Sequence, residues 1–407
     1  MAIELADVPI HVVSPRGAVA RPAAPVSSAT LVATAMVVAA TAYLSFAVSG
    51  RQAALFLVGV AAGVVLYHAA FGFTSSWRHF LTSARGDGLR AQMLMLAVTC
   101  AVFFPLLGQG EAFGQTLRGS VSPIGVSVLA GAFLFGIGMQ LGGGCASGTL
   151  YTVGGGNTRM LITLAAFIAG SVIGTAHMPW WSAQPSFAPV SLISAFGTWP
   201  ALAASLALFA AIAAITIVVE RRRAPIGAAA PLPRGDGARW LRGPWPLAAG
   251  AIGLAAVNIA TLLIAGRPWG VTSAFALWGA KALATLNVNV EAWPYWSTPA
   301  QRAALHAPIA LDVTSVMDIG LVLGAMAAAG LAGRFAPAWR VSARSAAAAV
   351  VGGLLLGYGA RLAYGCNIGA YFSGIASGSL HGWVWLVAAF AGSMFGTRFR
   401  RGFGLGA

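Results

Sequence analysis

Two cysteines of this chain lie in one repeated setting. The stretch GIGMQLGGGCASG at 136–148 has a near copy, GYGARLAYGCNIG, at 357–369. Gly136, Gly138, Leu141, Gly144, Cys145 and Gly148 recur as Gly357, Gly359, Leu362, Gly365, Cys366 and Gly369, each 221 positions later (366 − 145). A free thiol, with an ordinary pKa of about 8.5, is mostly protonated at neutral pH and is a weak S–H donor. Such a donor suits a soft acceptor, a sulfur or selenium atom, and it could exchange with a sulfane sulfur. The plainer role is that of a small apolar packing residue, but ungapped repetition of so rare a residue favours chemistry. The third cysteine, Cys100 in AVTCAVFFPLL, has no counterpart in the second half. Packing is the simpler role for it, with an additional thiol on the path as the alternative. Three cysteines without a CxxC provide neither a disulfide framework nor a paired redox motif.

The surroundings of the cysteines say how the backbone must run. LGGGCASGTLYTVGGGN (141–157) and GCNIGAYFSGIASGS (365–379) are glycine-rich, and each glycine disfavours helix by about 1 kcal/mol relative to alanine. Unpaired backbone is expensive in lipid. Each stretch is therefore expected to be a broken helix or re-entrant loop, buried by protein or lining a wet cavity. GFTSSW (72–77) and GVTSAF (270–275) are expected to open short half-helices, with Thr74, Ser75, Thr272 and Ser273 as N-caps. Helix N-termini present free N–H groups and positive partial charge, which suits an anion. Ser147 and Asn367 add donors beside the two cysteines. Arg361 precedes Cys366 by five positions inside an apolar run, where a cation needs a cavity or a partner; it could attract the anion, snorkel, or bind backbone carbonyls. Gln140 takes its place in the first half.

The elements that must position these residues are membrane helices. The chain is 58% hydrophobic and 8% charged over 407 residues, against roughly 25% charged in a soluble domain. Apolar runs reach the ~20 residues needed to cross a bilayer. They are continuous rather than alternating, which argues against a β-barrel. Ten candidate spans follow, at about 29–49, 53–71, 91–107, 122–142, 160–178, 199–219, 246–266, 314–332, 346–363 and 382–397. The expected fold is thus an all-α polytopic membrane protein.

Arginine sets the sides. Arg16 and Arg21, Arg78 to Arg90, Arg221 to Arg242, Arg334 to Arg344 and Arg398 to Arg401 all fall on one side of a ten-span chain, the inside by the positive-inside rule. Both termini are then cytoplasmic. The segment 286–313, with Glu291, Trp293, Tyr295 and Trp296, fits the outside. AGSVIGT (169–175) recurs as AGSMFGT (391–397), so the repeat extends beyond the cysteines. The fourth span runs inward and its partner, the ninth, outward; the halves are expected to be inverted, with five spans each. The organisation drawn from the chain is a disordered cytoplasmic tail (1–28), a first transmembrane repeat (29–219), an Arg-rich cytoplasmic linker (220–245), a second repeat (246–401) and a C-terminal tail (402–407). Residues 1–28 have no apolar core of the kind a signal peptide needs. Inverted repeats place a substrate site near the bilayer midplane, between the halves.

The paired Gly-Cys motifs, the AGSxxGT ends and GFTSSW resemble the YeeE/YedE family of sulfur-transport membrane proteins, across most of residues 50–400. The most specific part is GYGARLAYGCNIGAYFSGIASGSLHGW (357–383). The resemblance implies thiosulfate uptake across the bacterial inner membrane, through an hourglass whose central thiols pass the ion along by S–H···S hydrogen bonds. By position, Cys145 and Cys366 match the motif cysteines. It also implies a cytoplasmic sulfurtransferase as partner. Gly72 stands where members of the family often carry a further cysteine, so another sulfur or selenium species stays open as cargo.

Other classes find less support. The charge of +15 is nearly all arginine in short connections, with Lys281 the only lysine, so nucleic-acid binding is not expected. His11, His68, His79, His177, His306 and His381 show no metal-ligand spacing. No GxxxxGK[ST] or other cofactor motif occurs, so neither an ATPase motor nor a cofactor is expected. A membrane thiol or sulfur-transfer enzyme is the alternative activity. Arg159 reads as a positive-inside charge, and Lys281 as a vestibule cation or interfacial anchor. Asp318 is taken to sit near one end of its span, which leaves proton relay without a carrier.

Overall fold

The structure, a computed structural model, describes residues 27–223 and 239–406. Most of the expected tail at 1–28 and the middle of the Arg-rich linker, with Arg234, lie outside the described residues. The helices are α1 (Ser28–Ala47), α2 (Gly50–Ala69), α3 (Phe73–Ser83), α4 (Asp87–Gln109), α5 (Val126–Gly142), α6 (Ala146–Gly154), α7 (Thr158–Ser182), α8 (Leu192–Phe196) and α9 (Thr198–Arg223). There follow α10 (Arg239–Arg242), α11 (Leu247–Ala265), α12 (Thr272–Thr285), α13 (Pro299–His306), α14 (Val313–Leu331), α15 (Ala343–Leu362), α16 (Ser373–Ala376) and α17 (Leu380–Phe399). Two small antiparallel ribbons, pairing 111–112 with 115–116 and 124–125 with 186–187, are the extended elements.

Each of the ten expected spans falls on one long helix: α1, α2, α4, α5, α7, α9, α11, α14, α15 or α17. Among the described residues, nine stretches are long and apolar enough to cross a membrane. The nine do not include α17, whose His381, Arg398 and small residues dilute its hydropathy although it runs for 20 residues. The chain is a multi-pass all-helical membrane protein. Local chemistry sets the boundaries. Ser49, Asn157, Asp312 and Ser342 cap α2, α7, α14 and α15, each side chain accepting a backbone N–H.

Burial separates the helices by depth. Only 22% of the apolar window of α1 and of α9 is buried, against 72% for α14, so α1 and α9 are peripheral and α14 is central. Exposed Leu31, Phe46, Ile215 and Val387 suit a lipid-facing surface. The interior helices meet through glycine. A Cβ on Gly59 or Gly63 of α2 would overlap Met317 or Leu321 of α14, and one on Gly320 or Gly324 would overlap Phe56 or Val60 of α2. Small residues allow this close approach where lipid gives no hydrophobic drive to association.

The partnerships come in matched pairs. α2 packs on α14 as α11 packs on α4; α5 packs on α17 as α15 packs on α7. Likewise α6 meets α14 as α16 meets α4, and α3 meets α17 as α12 meets α7. At the periphery α1 lies on α14 as α9 lies on α4.

Candidate functional site

The first Gly-Cys stretch breaks the helix, as expected. α5 stops at Gly142, and Gly143 takes φ +94°, a left-handed conformation that glycine adopts without strain. Gly144 packs closely on Gly148 and Met160. Cys145 then caps α6: its Sγ accepts from the Gly148 N–H at 3.4 Å and lies 3.5 Å from Ser147 Oγ. The carbonyls stranded at the end of α5 are collected by α7. Arg159 donates to Leu141 O at 2.7 Å and Gly142 O at 2.8 Å, and Thr163 to Gly142 O at 3.1 Å. Arg159 is therefore a structural clamp as well as a charge near the end of its span.

The second stretch repeats the plan with different parts. α15 ends at Leu362, and Tyr364 and Gly365 take φ +56° and +151°. Cys366 occupies the cap position of a π-helical turn, Asn367–Phe372, and makes no side-chain cap bond. The turn is wide because Cys366 O accepts from both Ala370 N at 2.8 Å and Tyr371 N at 3.3 Å. His381 of α17 donates through Nε2 to Ala363 O at 2.9 Å, and Trp385 Nε1 donates to Gly365 O at 3.3 Å. His381 follows Arg159 by 222 positions (381 − 159), the offset of the AGSxxGT repeat. The same clamp is thus built twice from different side chains, which is why matching residue types could not find it.

The two breaks meet. α6 touches the π-helical turn, and the two thiols lie within electrostatic reach of each other. Both are buried, Cys145 at 2% exposure and Cys366 at 0%. Beside Cys366, both Asn367 side-chain polar atoms are buried without a hydrogen-bond partner, an unsatisfied donor and acceptor of the kind that buried sites rarely keep. Cys100, also fully buried, sits on α4 with its Sγ 3.9 Å from Ile375 O, against α16. It packs beside the second-half motif that the sequence could not connect it to.

The Thr-Ser segments differ from expectation. They open α3 and α12, but the cap positions belong to Gly72 and Val271, and neither makes a side-chain cap bond. Ser75 and Ser76 instead donate to Gly72 O, at 3.2 and 2.6 Å. A hydroxyl one turn inside the helix reaches a carbonyl more readily than an N–H ahead of it. Thr74 Oγ1 is buried without a partner, while Thr74 O accepts from Gln140 Nε2 at 3.3 Å. Thr272 is buried, but Ser273 is exposed and shares a hydrogen bond with Thr314 at 3.1 Å. Arg361 is held away from Cys366: its Nη1 donates to Tyr295 OH at 2.6 Å, with the guanidinium 5.4 Å from that ring. Lys281 ties α12 to the 286–313 segment, donating to Leu305 O at 2.6 Å and Ala307 O at 2.7 Å.

Other residues of the site carried no motif. Gln92 of α4 accepts from Trp77 Nε1 at 3.0 Å and Tyr371 OH at 3.4 Å, which leaves its own Nε2 without a partner. Asn258 of α11 accepts from Trp269 N at 2.9 Å and donates to Ser373 Oγ at 3.1 Å. Trp269 Nε1 is another buried donor with no acceptor. A polar amide inside an apolar span was the available signal for Gln92 and Asn258. Asp318 lies in the second turn of α14, near one end of its span, and is fully buried.

Comparison with known proteins adds the family. The profile of a family described as sulphur transport matches residues 68–395. A probable transporter, YedE, of Salmonella typhimurium is 34% identical over 160 residues, 39% of this chain and 39% of that protein. The chain thus aligns with well under two thirds of that relative. The thiosulfate transporter TsuA of Spirochaeta thermophila is 26% identical over 337 residues, 81% of this chain and 92% of that protein, and the Escherichia coli TsuA is 24% identical over 353 residues, 81% and 89%. These relatives carry transporter names and none carries an enzyme name. Both helix breaks, both clamps and the buried amides fall within the matched residues, and the chain belongs to the sulphur transport family of membrane proteins.

Proposed function

We propose that the protein carries a small sulfur-containing anion, thiosulfate first among them, into the cell across the bacterial inner membrane. Neutral thiols of Cys366 and Cys145 hand the ion across the constriction where the two breaks meet. That meeting of the two Gly-Cys breaks, with both thiols buried and Asn367 unsatisfied beside Cys366, is the observation that carries this reading. The names of the TsuA relatives are consistent with it. A buried site with free donors suits an anion that offers sulfur to a thiol and oxygen to an amide, the donors replacing part of the hydration it loses. Thr74, Gln92 and Trp269 supply further donors. Cytoplasmic termini and delivery of the ion to a cytoplasmic sulfurtransferase complete the reading.

The matched helix partnerships support two inverted halves with re-entrant Gly-Cys segments. They favour a boundary at 183–197 rather than at the Arg-rich linker. Each half then has five spans: α1, α2, α4, α5 and α7, and α9, α11, α14, α15 and α17.

The test is uptake of labelled thiosulfate into proteoliposomes holding the full chain, with sulfate and selenosulfate as competitors. Uptake is expected in the wild type and lost in Cys366→Ala. Undiminished uptake by both Cys145→Ala and Cys366→Ala proteins would refute the role of the thiols. Competition by selenosulfate far stronger than by thiosulfate would move the cargo to selenium.

A further inference from the structure

Asp318 lies on α14, six positions inside its cap residue Asp312. At ~1.5 Å per residue that is about 9 Å into the helix. Its side chain is 0% exposed, and neither carboxyl oxygen has a hydrogen-bond partner. The other described acids, Asp87, Glu111, Glu220, Glu291 and Asp312, are at least partly exposed. An ionised carboxylate with no partner is costly in such surroundings, and a carboxyl group that takes up a proton avoids the cost.

A second, hydrogen-bonded acid stands at the partly exposed end of the same helix. Asp312 Oδ2 accepts from Ser315 N at 2.8 Å and from Ser315 Oγ at 2.6 Å, and Ser315 Oγ also accepts from Trp278 Nε1 at 2.8 Å. Ser315 and Asp318 are three apart, so they neighbour each other on α14, one turn in from its partly exposed end. α14 packs on α6, which Cys145 caps, so the acid lies on a helix that adjoins the thiol site.

The ionisable groups on elements packed against α14 are Arg51, Tyr67 and His68 of α2, Cys145 and Tyr151 at α6, Lys281 of α12, Tyr43 of α1 and Arg242 of α10. Arg267, just before α12, donates to Thr314 at 3.1 Å. Arg51 and Lys281 are engaged with backbone carbonyls. None of these groups bonds to Asp318. The groups that act on it or feel it across space are Asp312 and Cys366.

We propose that Asp318 is the proton-binding site that couples anion entry to proton entry. The inference rests on the transport reading above. An anion entering a cell that is negative inside moves against the membrane potential, and each accompanying proton removes one negative charge from the load. On the outer side an O–H bond forms as the Asp318 carboxylate takes a proton. On the inner side that bond breaks and the proton leaves with the anion. No electrons are transferred.

Proteoliposomes containing the full chain, with the membrane potential clamped at zero and labelled thiosulfate as the probe, test this directly. With the outside one pH unit more acid, one proton per anion gives about tenfold accumulation in the wild type. A pH dye trapped inside should report acidification on thiosulfate addition. Asp318→Asn should lose both responses while still equilibrating the label, and Asp318→Glu should recover them in part. Thiosulfate flux in the wild type with no accumulation and no dye response overturns the coupling alone, as does full accumulation by Asp318→Asn or accumulation driven only by a sodium gradient. Absence of any thiosulfate flux in the wild type overturns the transport reading and the coupling with it. If Asp318→Asn fails to fold, Asp318→Glu takes its place: a shifted pH dependence of accumulation supports the assignment, and accumulation and dye response equal to the wild type's at every pH overturn it.

Discussion

The two Gly-Cys breaks share a plan and differ in what they leave unsatisfied. In the first, the sulfur of Cys145 is engaged by Gly148 N–H and Ser147 Oγ, and a regular helix, α6, follows. In the second, the Cys366 sulfur makes no cap bond, a wide π-helical turn follows, and Asn367 has neither donor nor acceptor matched. The first break is closed on itself, whereas the second holds groups waiting for a ligand. An internal repeat therefore need not mean equal roles: the same backbone trick leaves the polar neighbour of one thiol, Ser147, engaged and that of the other, Asn367, unmatched.

The strongest way to break this contrast is through the thiols themselves. Cys366→Ala should lower thiosulfate uptake about a hundredfold and Cys145→Ala about tenfold, the range expected for hydrogen bonds to a charged ligand. Equal losses in initial rate would remove the asymmetry. The glycines come next. A Cβ on Gly365 would meet Ala370 N at 2.7 Å at φ +151°, whereas one on Gly143 would meet the movable tip of Arg159 at 2.8 Å. Gly365→Ala should cost roughly 2–3 kcal/mol and Gly143→Ala about 1 kcal/mol, read as loss of thermal stability in detergent.

The clamps should respond more mildly. Arg159→Ala strands Leu141 O and removes one of two donors from Gly142 O, and His381→Ala strands one carbonyl, so losses of about 2 and 1 kcal/mol are expected. If His381→Ala proves the more damaging in stability, the clamps are not equivalent devices. The smallest effects should come from the neighbours of the thiols. Asn367→Ala should raise the half-saturating thiosulfate concentration about tenfold with little change in maximal rate, and Ser147→Ala should change it less than threefold, as for a bond the protein already satisfies internally.

Much of this architecture was legible because lipid leaves few choices. A run of apolar residues in a bilayer must be helical, so all ten expected spans coincide with long helices, and a run of glycines at a fixed offset could only be a break. The clamps were hidden because Arg159 and His381 are different residue types performing one task. The burial of Asp318 was not legible because an apolar run identifies a span but not how deeply its neighbours bury each turn. The supposed cap at Ser75 failed for a local reason: its hydroxyl, inside the first turn, finds the Gly72 carbonyl behind it.

The sequence by itself determined the solvent, the class of fold, the repeated cysteines and the family, since each depends on residue type and order along the chain. Only the tertiary structure decided which thiol's polar neighbour is engaged, which amides lack partners and which acid lies buried. Those properties depend on neighbours brought together from distant parts of the chain, as Gln92 is by Trp77 and Tyr371, and no local pattern encodes the distances between them.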